Sequence, residues 1–209
     1  EGMKNMGERK KVTAVIGTYR KGGIIDTAVD EILSAAAEEG AEVSKIYLAD
    51  VRIEFCTNCR ICAGQAGLER GRCPIPDEMG KVLDIIEHSD AVVLASPMNF
   101  WTVTAVTKRF VERLICYAYW PWGMAAPRTR NREMPRRAVV VSSSAAPAVL
   151  ARPATRIVGL LKSAASLLGA RTVGVLFIGM AARRERQDIG WWARRKARRL
   201  GRRLAAGSR

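Results

Sequence analysis

The stretch KVTAVIGTYRKGGIIDTAVDEILSAAAEEG, residues 11–40, decides how this chain folds. It begins as a short apolar strand and continues into a polar, glycine-rich loop at 18–23. Residues 24–39 then carry apolar side chains at helical spacing, and Gly40 ends the pattern. Such a loop suits an anion, because the amides at the helix start point at the ligand. It lacks the spacing of an ATP-binding or a dinucleotide loop, and a plain turn with solvated basic side chains is the alternative.

The alternation of strand and helix continues along the chain. Further strands are predicted at 42–48, 91–95, 138–142 and 171–178, and further helices at 77–88, 104–119, 153–168 and about 186–205. Strands that alternate with helices indicate an α/β fold, in which a parallel sheet is covered on both faces. Ligands of such sheets bind at the carboxyl ends of the strands. The loops at 18–25, 96–101 and 142–147 are therefore the candidates.

Composition favours a globular protein of one domain. Of its 209 residues, 48% are hydrophobic and 26% are charged. Its apolar runs are far shorter than the ~20 residues of a membrane span, and the absence of a signal-peptide pattern predicts a cytoplasmic location. The predicted organisation is an N-terminal extension at 1–10, a domain at 11–180 with a cysteine-rich insertion at 55–76, and a basic C-terminal helix within 181–209.

The net charge of +15 is concentrated at one end of the chain. Residues 128–209 hold 20 Lys and Arg against 3 Asp and Glu. The C-terminal helix is either the last helix of the fold, with a solvated arginine face, or a surface for an anionic membrane, an acidic redox partner or NADPH. No nucleic-acid fold signature accompanies it, so specific nucleic-acid binding is not expected. Its apolar side is predicted to contain Trp192, Ala193, Leu200 and Leu204.

Four of the five cysteines lie within 18 residues, at Cys56, Cys59, Cys62 and Cys73. In a reducing compartment, clustered cysteines more often bind metal or do redox chemistry than form disulfides. Their spacing suits a [4Fe–4S] cluster, although ten residues separate Cys62 from Cys73. Zinc, a redox dithiol and thiols without metal are the alternatives. Cys116 lies in an apolar helix and is expected to be buried.

Four pieces of sequence, taken in order, resemble one family. They are the loop Gly17-Thr18-Tyr19-Arg20, the cysteine stretch followed by Asp77-Glu78, the strand end Ser96-Pro97-Met98-Asn99-Phe100-Trp101, and a helix with Thr104, Lys108, Phe110 and Arg113. Over roughly residues 11–180 they resemble the flavodoxin-like NAD(P)H-dependent FMN reductases, and more closely their cysteine-containing branch, the iron–sulfur flavoproteins. The resemblance implies a three-layer fold with a five-stranded parallel sheet in the order 2-1-3-4-5.

The resemblance also implies where FMN lies. Its phosphate is expected on the first loop, its ring on the second, and hydroxyls of the third at the ring edge; packing in the core is the alternative for Phe100 and Trp101. Ile24-Ile25 departs from the Asn-Thr or Asn-Ser of the family. The expected cofactor contacts are Thr18, Arg20, Lys21, Gly22, Gly23, Ile24, Ile25, Pro97, Met98, Asn99, Phe100, Trp101, Ser142, Ser143 and Ser144, and the expected metal ligands are Cys56, Cys59, Cys62 and Cys73.

Three hypotheses of function follow. The first is a reductase that takes hydride from NAD(P)H and passes electrons to a small molecule or a protein, with the flavin as the reactive group. The second is an electron carrier in which a [4Fe–4S] cluster relays electrons between FMN and a protein partner. The third is a basic binding protein that uses the domain as a scaffold. The resemblance further implies a homodimer or homotetramer, with the FMN site near an interface.

Overall fold

The fold is described by a computed structural model for residues 9–206, with the exception of 68, 131, 132, 185 and 186. Most of the predicted N-terminal extension, 1–8, therefore lies outside the described residues, as do 207–209 and residue 186, the predicted start of the basic helix. No helix within the described ranges is long and apolar enough to cross a bilayer.

Strands and helices alternate as the sequence predicts, with these bounds. The strands are β1 (Lys11–Ile16), β2 (Glu42–Tyr47), β3 (Ala91–Pro97), β4 (Ala118–Tyr119), β5 (Arg128–Thr129), β6 (Arg136–Ser143) and β7 (Ala170–Ile178). The helices are α1 (Ile24–Glu38), α2 (Ile61–Gly64), α3 (Met79–Glu87), α4 (Ala105–Arg113), α5 (Ala148–Ala154), α6 (Ile157–Leu167) and α7 (Trp191–Ala205). A 3₁₀ helix at Leu114–Tyr117 follows α4.

Five strands form one parallel sheet in the order β2-β1-β3-β6-β7. Numbered along the chain, these strands are arranged 2-1-3-4-5, which confirms the predicted flavodoxin-like α/β fold. The central strands β3 and β6 are buried along most of their length, because helices cover both faces. The strand order reverses between β1 and β3, and this reversal is where such sheets bind ligands.

Each face of the sheet has its own hydrophobic core. Helices α1 and α7 pack on one face, where Ile32 and Leu200 are buried. Helices α3, α4 and α6 pack on the other face, where Phe110 and Leu161 are buried. The chain thus forms the three layers that the resemblance implies.

Two helices have different bounds in the structure from those that the sequence predicts. The helix predicted at 104–119 leaves α-helical geometry after Arg113, and its last residues form β4. This strand pairs with β5, which lies before the predicted strand at 138–142. The helix predicted at 153–168 corresponds to α6, which begins at Ile157, and a separate helix, α5, lies before it at 148–154. They are separated by Thr155, whose backbone is extended and whose hydroxyl donates to the Trp101 carbonyl at 2.6 Å and accepts from the Ile157 amide at 3.2 Å.

Helix α7 docks closely on α1. A Cβ atom at Gly201 would lie 2.0 Å from the Ile32 carbonyl oxygen, so only glycine permits this approach. Leu200 and Leu204 are buried, as predicted. Trp192 was predicted on the same side and this is wrong: it is 75% exposed, because the face toward α1 is occupied by the smaller Ala197 and Gly201.

We expect Gly201→Ala to destabilise the protein by about 3 kcal/mol, because the added methyl group meets rigid backbone. The matched control is Gly159→Ala in α6, where an added Cβ meets no atom within 4 Å and where the higher helix propensity of alanine should stabilise by up to about 1 kcal/mol. Urea unfolding of both variants measures this. Equal stabilities would contradict the close docking of α7.

Candidate functional site

A cavity of about 320 Å³ lies at the carboxyl ends of β1, β3 and β6. The loops after these strands meet there because parallel strands end at the same edge of a sheet. The cavity lies beside the reversal of strand order. Ten of the predicted cofactor contacts line it: Thr18, Arg20, Gly23, Ile24, Ile25, Pro97, Met98, Asn99, Ser143 and Ser144.

The first loop presents the start of α1 to this cavity. Gly22 has a φ of 72°, a left-handed conformation that favours glycine, and the Gly23 amide donates to the Arg20 carbonyl at 3.2 Å to close the turn. Gly23 precedes α1 and offers no side-chain cap. The amides of Ile24 and Ile25, in the first turn, therefore lack an intrahelical acceptor and are suited to an anion. Gly22 itself does not line the cavity.

Residues at the start of α4 hold the same loop in place. The Thr104 hydroxyl donates to the Gly17 carbonyl at 2.6 Å, and the Thr104 amide donates to the Ser96 hydroxyl at 3.2 Å. A Cβ at Gly17 would lie 1.7 Å from the Thr107 hydroxyl oxygen. Gly17 is thus required for the approach of α4, and Thr104 joins the first and second loops.

A buried carboxylate that the sequence analysis missed also holds the first loop. Asp26 accepts hydrogen bonds from the Gly22 amide at 2.7 Å, the Tyr47 hydroxyl at 2.8 Å and the Lys45 ammonium at 3.0 Å. Burial by itself raises the pKa of Asp26, but these hydrogen bonds outweigh burial and hold the pKa below its usual value. An acidic residue three positions after the residue that caps α1 was the available signal.

Lys21 does not contribute to the cavity, contrary to its predicted role. Its ammonium pairs with Asp50 at 2.5 Å and lies 4.9 Å from the centre of the Tyr47 ring. The hydrogen bond to Asp50 raises the pKa of Lys21. Arg20 and Arg184 supply the positive charge at the cavity instead. The sequence analysis did not propose Arg184. Its position after the last strand of the sheet, at the carboxyl edge, was the signal that could have identified it.

The loop after β7 forms another wall that the sequence analysis did not propose. Gln187 lines the cavity together with Ala181 and Ala182. The Gln187 amide group accepts from the Arg183 amide at 3.1 Å and donates to the Met180 carbonyl at 2.9 Å. These bonds join Gln187 to residues that follow β7 directly.

Phe100 and Trp101 do not line the cavity or pack in the core. They are 99% and 65% exposed, and both have left-handed backbones, with φ of 45° and 66°. A tight turn between Asn99 and Thr102, with two backbone hydrogen bonds, imposes this conformation. The apolar wall at the cavity is therefore Pro97 and Met98.

Ser142 also lies away from the cavity. Successive side chains of a strand point to opposite faces of the sheet. Ser143 therefore lines the cavity, whereas Ser142 is buried on the other face. The Ser142 hydroxyl has no hydrogen-bond partner among the described residues.

The cysteines form a second candidate site. Cys56, Cys59, Cys62 and Cys73 line one cavity of about 10 Å³, together with Arg113. All are free thiols. The Ile61 amide and the Thr57 hydroxyl lower the pKa of Cys59, whereas burial and the neighbouring cysteines raise the pKa of Cys62.

This donor set fits an iron–sulfur cluster better than a single ion. Zinc holds its thiolates at about 2.3 Å, yet within the described ranges no three His, Cys, Asp or Glu side chains converge on a single-ion site. Four thiols around one space suit a cluster that takes one thiolate for each iron. The cavity between the four thiols is small, about 10 Å³.

Arg130 holds the cysteine-rich insertion at 55–76 in place, and we call this insertion the cysteine loop. Its buried guanidinium donates to the carbonyls of Cys62, Gln65, Gly67 and Ala118, at 2.5–3.2 Å. No motif or spacing indicated this residue, which lies between the predicted helix at 104–119 and the predicted strand at 138–142. Its partners are 12 to 68 positions away along the chain.

A more voluminous cavity, of about 710 Å³, borders the cysteine loop and contains Cys116. Cys116 is buried, as predicted, and burial raises its pKa to about 12. Two of the arginines here are already paired with acids, Arg113 with Asp77 and Arg70 with Glu87. The smaller cavity, where strand ends and helix amides meet, is therefore the candidate cofactor site.

The sequence pattern of the family described as NADPH-dependent FMN reductase matches residues 10–181. The chain belongs to this family. The match includes the five-stranded sheet, the cysteine-rich segment and most of the residues that line the first cavity, and it ends before α7.

Curated relatives of this FMN reductase family member are iron–sulfur flavoproteins. It is 34% identical to one from Archaeoglobus fulgidus over 111 residues, which are 53% of this chain and 48% of the relative. It is 36% identical to one from Methanocaldococcus jannaschii over 103 residues, which are 49% of this chain and 51% of the relative. The chain thus spans about half the length of the curated relatives it matches.

Solved structures share the fold at lower identity. An FMN-dependent NADH-azoreductase from Bacillus anthracis superposes with a TM-score of 0.70 at 13% identity, covering 94% of this chain and all of the other. An NAD(P)H:quinone oxidoreductase from Methanothermobacter marburgensis gives 0.66 at 19% identity, covering 97% of this chain and 99% of the other. At these identities the likeness shows the fold alone.

Two pieces of the family resemblance meet in a buried ion pair. Arg113 donates to Asp77 at 2.5 Å, and both side chains are at most 2% exposed. Asp77 also accepts from the amides of Glu54 and Met79, so it joins the cysteine segment to α3 and α4. Burial by itself raises the pKa of Asp77, but Arg113 and the two amides outweigh burial and lower it.

We expect Asp77→Asn to destabilise this family member by about 3–5 kcal/mol near pH 7, because it leaves the Arg113 charge buried and unpaired. The pKa of Asp77 is lowered in the folded state, so its contribution is present above the unfolded carboxyl pKa. It is lost as the pH falls through the folded value. The stability difference between wild type and variant should therefore shrink in acid.

Urea unfolding at neutral and acidic pH tests this. The control is Lys108→Gln, which removes an exposed pair with Glu112 and should cost less than about 0.5 kcal/mol. A stability difference for Asp77→Asn that is independent of pH would show that the carboxylate charge is not responsible.

Proposed function

We propose that this chain binds FMN in the cavity at the ends of β1, β3 and β6, oxidises NAD(P)H and delivers the electrons to a small-molecule or protein acceptor. The observation that supports this most is that three predicted loops of an FMN reductase family member line one cavity. Its volume of about 320 Å³ is at the lower end of the range for small-molecule sites, about 300–1,000 Å³.

The phosphate would be held at the start of α1. Thr18 and Arg20 line the cavity beside the first-turn amides of Ile24 and Ile25. These amides and the positive end of the helix dipole favour an anion there. They replace the polar side chains of the family at this point, so the departure Ile24-Ile25 is compatible with phosphate binding.

The ring would lie between the second and third loops. The Met98 amide donates to the Ser143 carbonyl at 2.8 Å, so the two walls are already joined. The Ser144 hydroxyl donates to the Ala146 carbonyl at 2.8 Å, whereas the Ser143 hydroxyl has no such bond among the described residues and is available to a ring edge. Bound FMN supplies the hydride and electron chemistry, and the protein supplies binding, orientation and charge.

Arg20→Gln should weaken FMN binding by about tenfold to a hundredfold, because a charge-assisted contact to the phosphate is lost. Riboflavin, which has no phosphate, should bind both proteins equally. Lys21→Gln is the matched control: it removes the same charge one residue away, where Lys21 pairs with Asp50 outside the cavity. Flavin fluorescence titration measures all the affinities.

Equal losses for Arg20→Gln and Lys21→Gln, or equal losses of FMN and riboflavin, would contradict the assigned phosphate position. Failure of the wild-type protein to bind FMN after reconstitution would refute the proposed function itself.

A second candidate function, an electron carrier with an iron–sulfur cluster, is favoured by one observation. The four clustered thiols line a common cavity. The curated relatives named iron–sulfur flavoproteins support the same reading. Cys56, Cys59, Cys62 and Cys73 would hold the cluster, and Arg113 lines the same cavity.

Anaerobic reconstitution with iron and sulfide should load the wild-type protein with about four iron atoms per chain. Cys59→Ser should reduce the iron content strongly without unfolding, because Cys59 is exposed. Cys116→Ala is the control and should retain the iron. If Cys59→Ser retains full iron content, the proposed ligand set is wrong. If it loses iron but oxidises NAD(P)H at the wild-type rate with a small acceptor, the reductase function does not need the cluster.

A further inference from the structure

Helix α7 has two flanks of different character. On one flank, Arg194 pairs with Glu31 and Arg198 pairs with Glu38, and both acids belong to α1. The other flank is a stripe with the spacing i, i+4, i+7 and i+11. No ion pair connects this stripe to any carboxylate among the described residues. Its members are Trp192, Lys196, Arg199 and Arg203.

Lys196, in this unpaired stripe, lines a groove between α5, β7 and α7. The groove has a volume of about 480 Å³, and Arg152 and Lys196 line it together with Val149 and Phe177. Burial and the nearby charges of Arg152 and Arg199 lower the pKa of Lys196. The three cations therefore repel one another and would be stabilised by an anion.

Large apolar side chains are exposed on both helices that form the groove. Val149 and Leu150 of α5 are 77% and 64% exposed. Trp192 lies one turn before Lys196 on the same stripe and is also largely exposed, and it stacks edge-on with exposed Trp191. Large apolar side chains that are exposed beside uncompensated cations mark an interaction surface.

We propose that this surface docks on an anionic phospholipid bilayer; we call it the α5–α7 face and define it by Val149, Leu150, Arg152, Trp192, Lys196 and Arg199. Tryptophan and aliphatic side chains partition into the headgroup region, while lysine and arginine contact lipid phosphates. A nucleic acid would use the cations but would have no use for the exposed aliphatic side chains of α5.

The α5–α7 face is independent of the proposed flavin site. None of its six residues lines the flavin cavity, and its helix α7 lies beyond the segment that matches the FMN reductase family. Docking therefore goes beyond the proposed function, and its failure would leave FMN binding unaffected.

Co-sedimentation with lipid vesicles tests the proposal on the full chain. The wild-type protein should bind vesicles of phosphatidylcholine mixed with phosphatidylserine and should not bind phosphatidylcholine alone. Binding should weaken as salt is added, because ions screen the charges. Absence of binding to the mixed vesicles at low salt would overturn the proposal.

Arg152→Gln combined with Lys196→Gln should raise the Kd for mixed vesicles about 25-fold, from about fivefold for each cation near an anionic surface. The matched control is Lys81→Gln combined with Lys162→Gln, which removes the same charge from exposed positions on α3 and α6, across the sheet. It should bind almost as tightly as wild type. Equal losses in both variants would show a non-specific charge effect and overturn the proposal.

Val149→Ser combined with Leu150→Ser distinguishes a bilayer from other occupants. It should weaken vesicle binding about tenfold and leave binding to heparin, a soluble polyanion, unchanged. Unchanged vesicle binding would identify a general polyanion surface. A change of oligomeric state by light scattering would identify a contact between copies of the chain. Either result would overturn the proposal, and unchanged far-UV circular dichroism would show that the variants are folded.

Discussion

The Thr104 hydrogen bond to the Gly17 carbonyl is the contact on which the candidate flavin cavity depends. Thr104 starts α4, and through its amide it also binds Ser96 at the end of β3. One residue therefore joins the first and second loops of the cavity. The contact is possible only because Gly17 has no side chain, since a Cβ there would overlap Thr107.

Helix α4 relates the two candidate sites to each other. Its start supports the cavity at the strand ends, and its last residue, Arg113, lines the cysteine cavity and pairs with Asp77. Nine helical residues span about 14 Å. A rigid element of that length thus separates the expected FMN site from the expected cluster site, and a buried ion pair holds its far end.

The excess charge is likewise organised by packing. Arg194 and Arg198 are neutralised by acids on α1. Lys196, on the opposite flank, lines a groove with another cation, Arg152, and also lies near Arg199. Composition alone shows only that the last part of the chain is basic. The docking of α7 through Gly201 decides which of its charges are balanced and which are left for a partner.

The sequence by itself determined the α/β fold, the strand order implied by the resemblance, and the three loops that meet at the cavity. These depend on hydrophobic periodicity and on the shared edge at which parallel strands end, both of which are local or general properties. Most of the residues with which the first and third loops line the cavity were predicted on this basis. The clustering of the four cysteines could also be predicted, because they lie close together in the sequence.

Only the tertiary structure decided which side chains of those loops face the cavity. Lys21 is directed away by Asp50, and the turn that exposes Trp101 is held by Thr155; in both cases the partner is distant along the chain. Arg130 reaches the cysteine loop from more than 60 positions away, and Asp26 acts through Tyr47 on a neighbouring strand. Such partners are set by how the layers pack, and no pattern within a single segment encodes them.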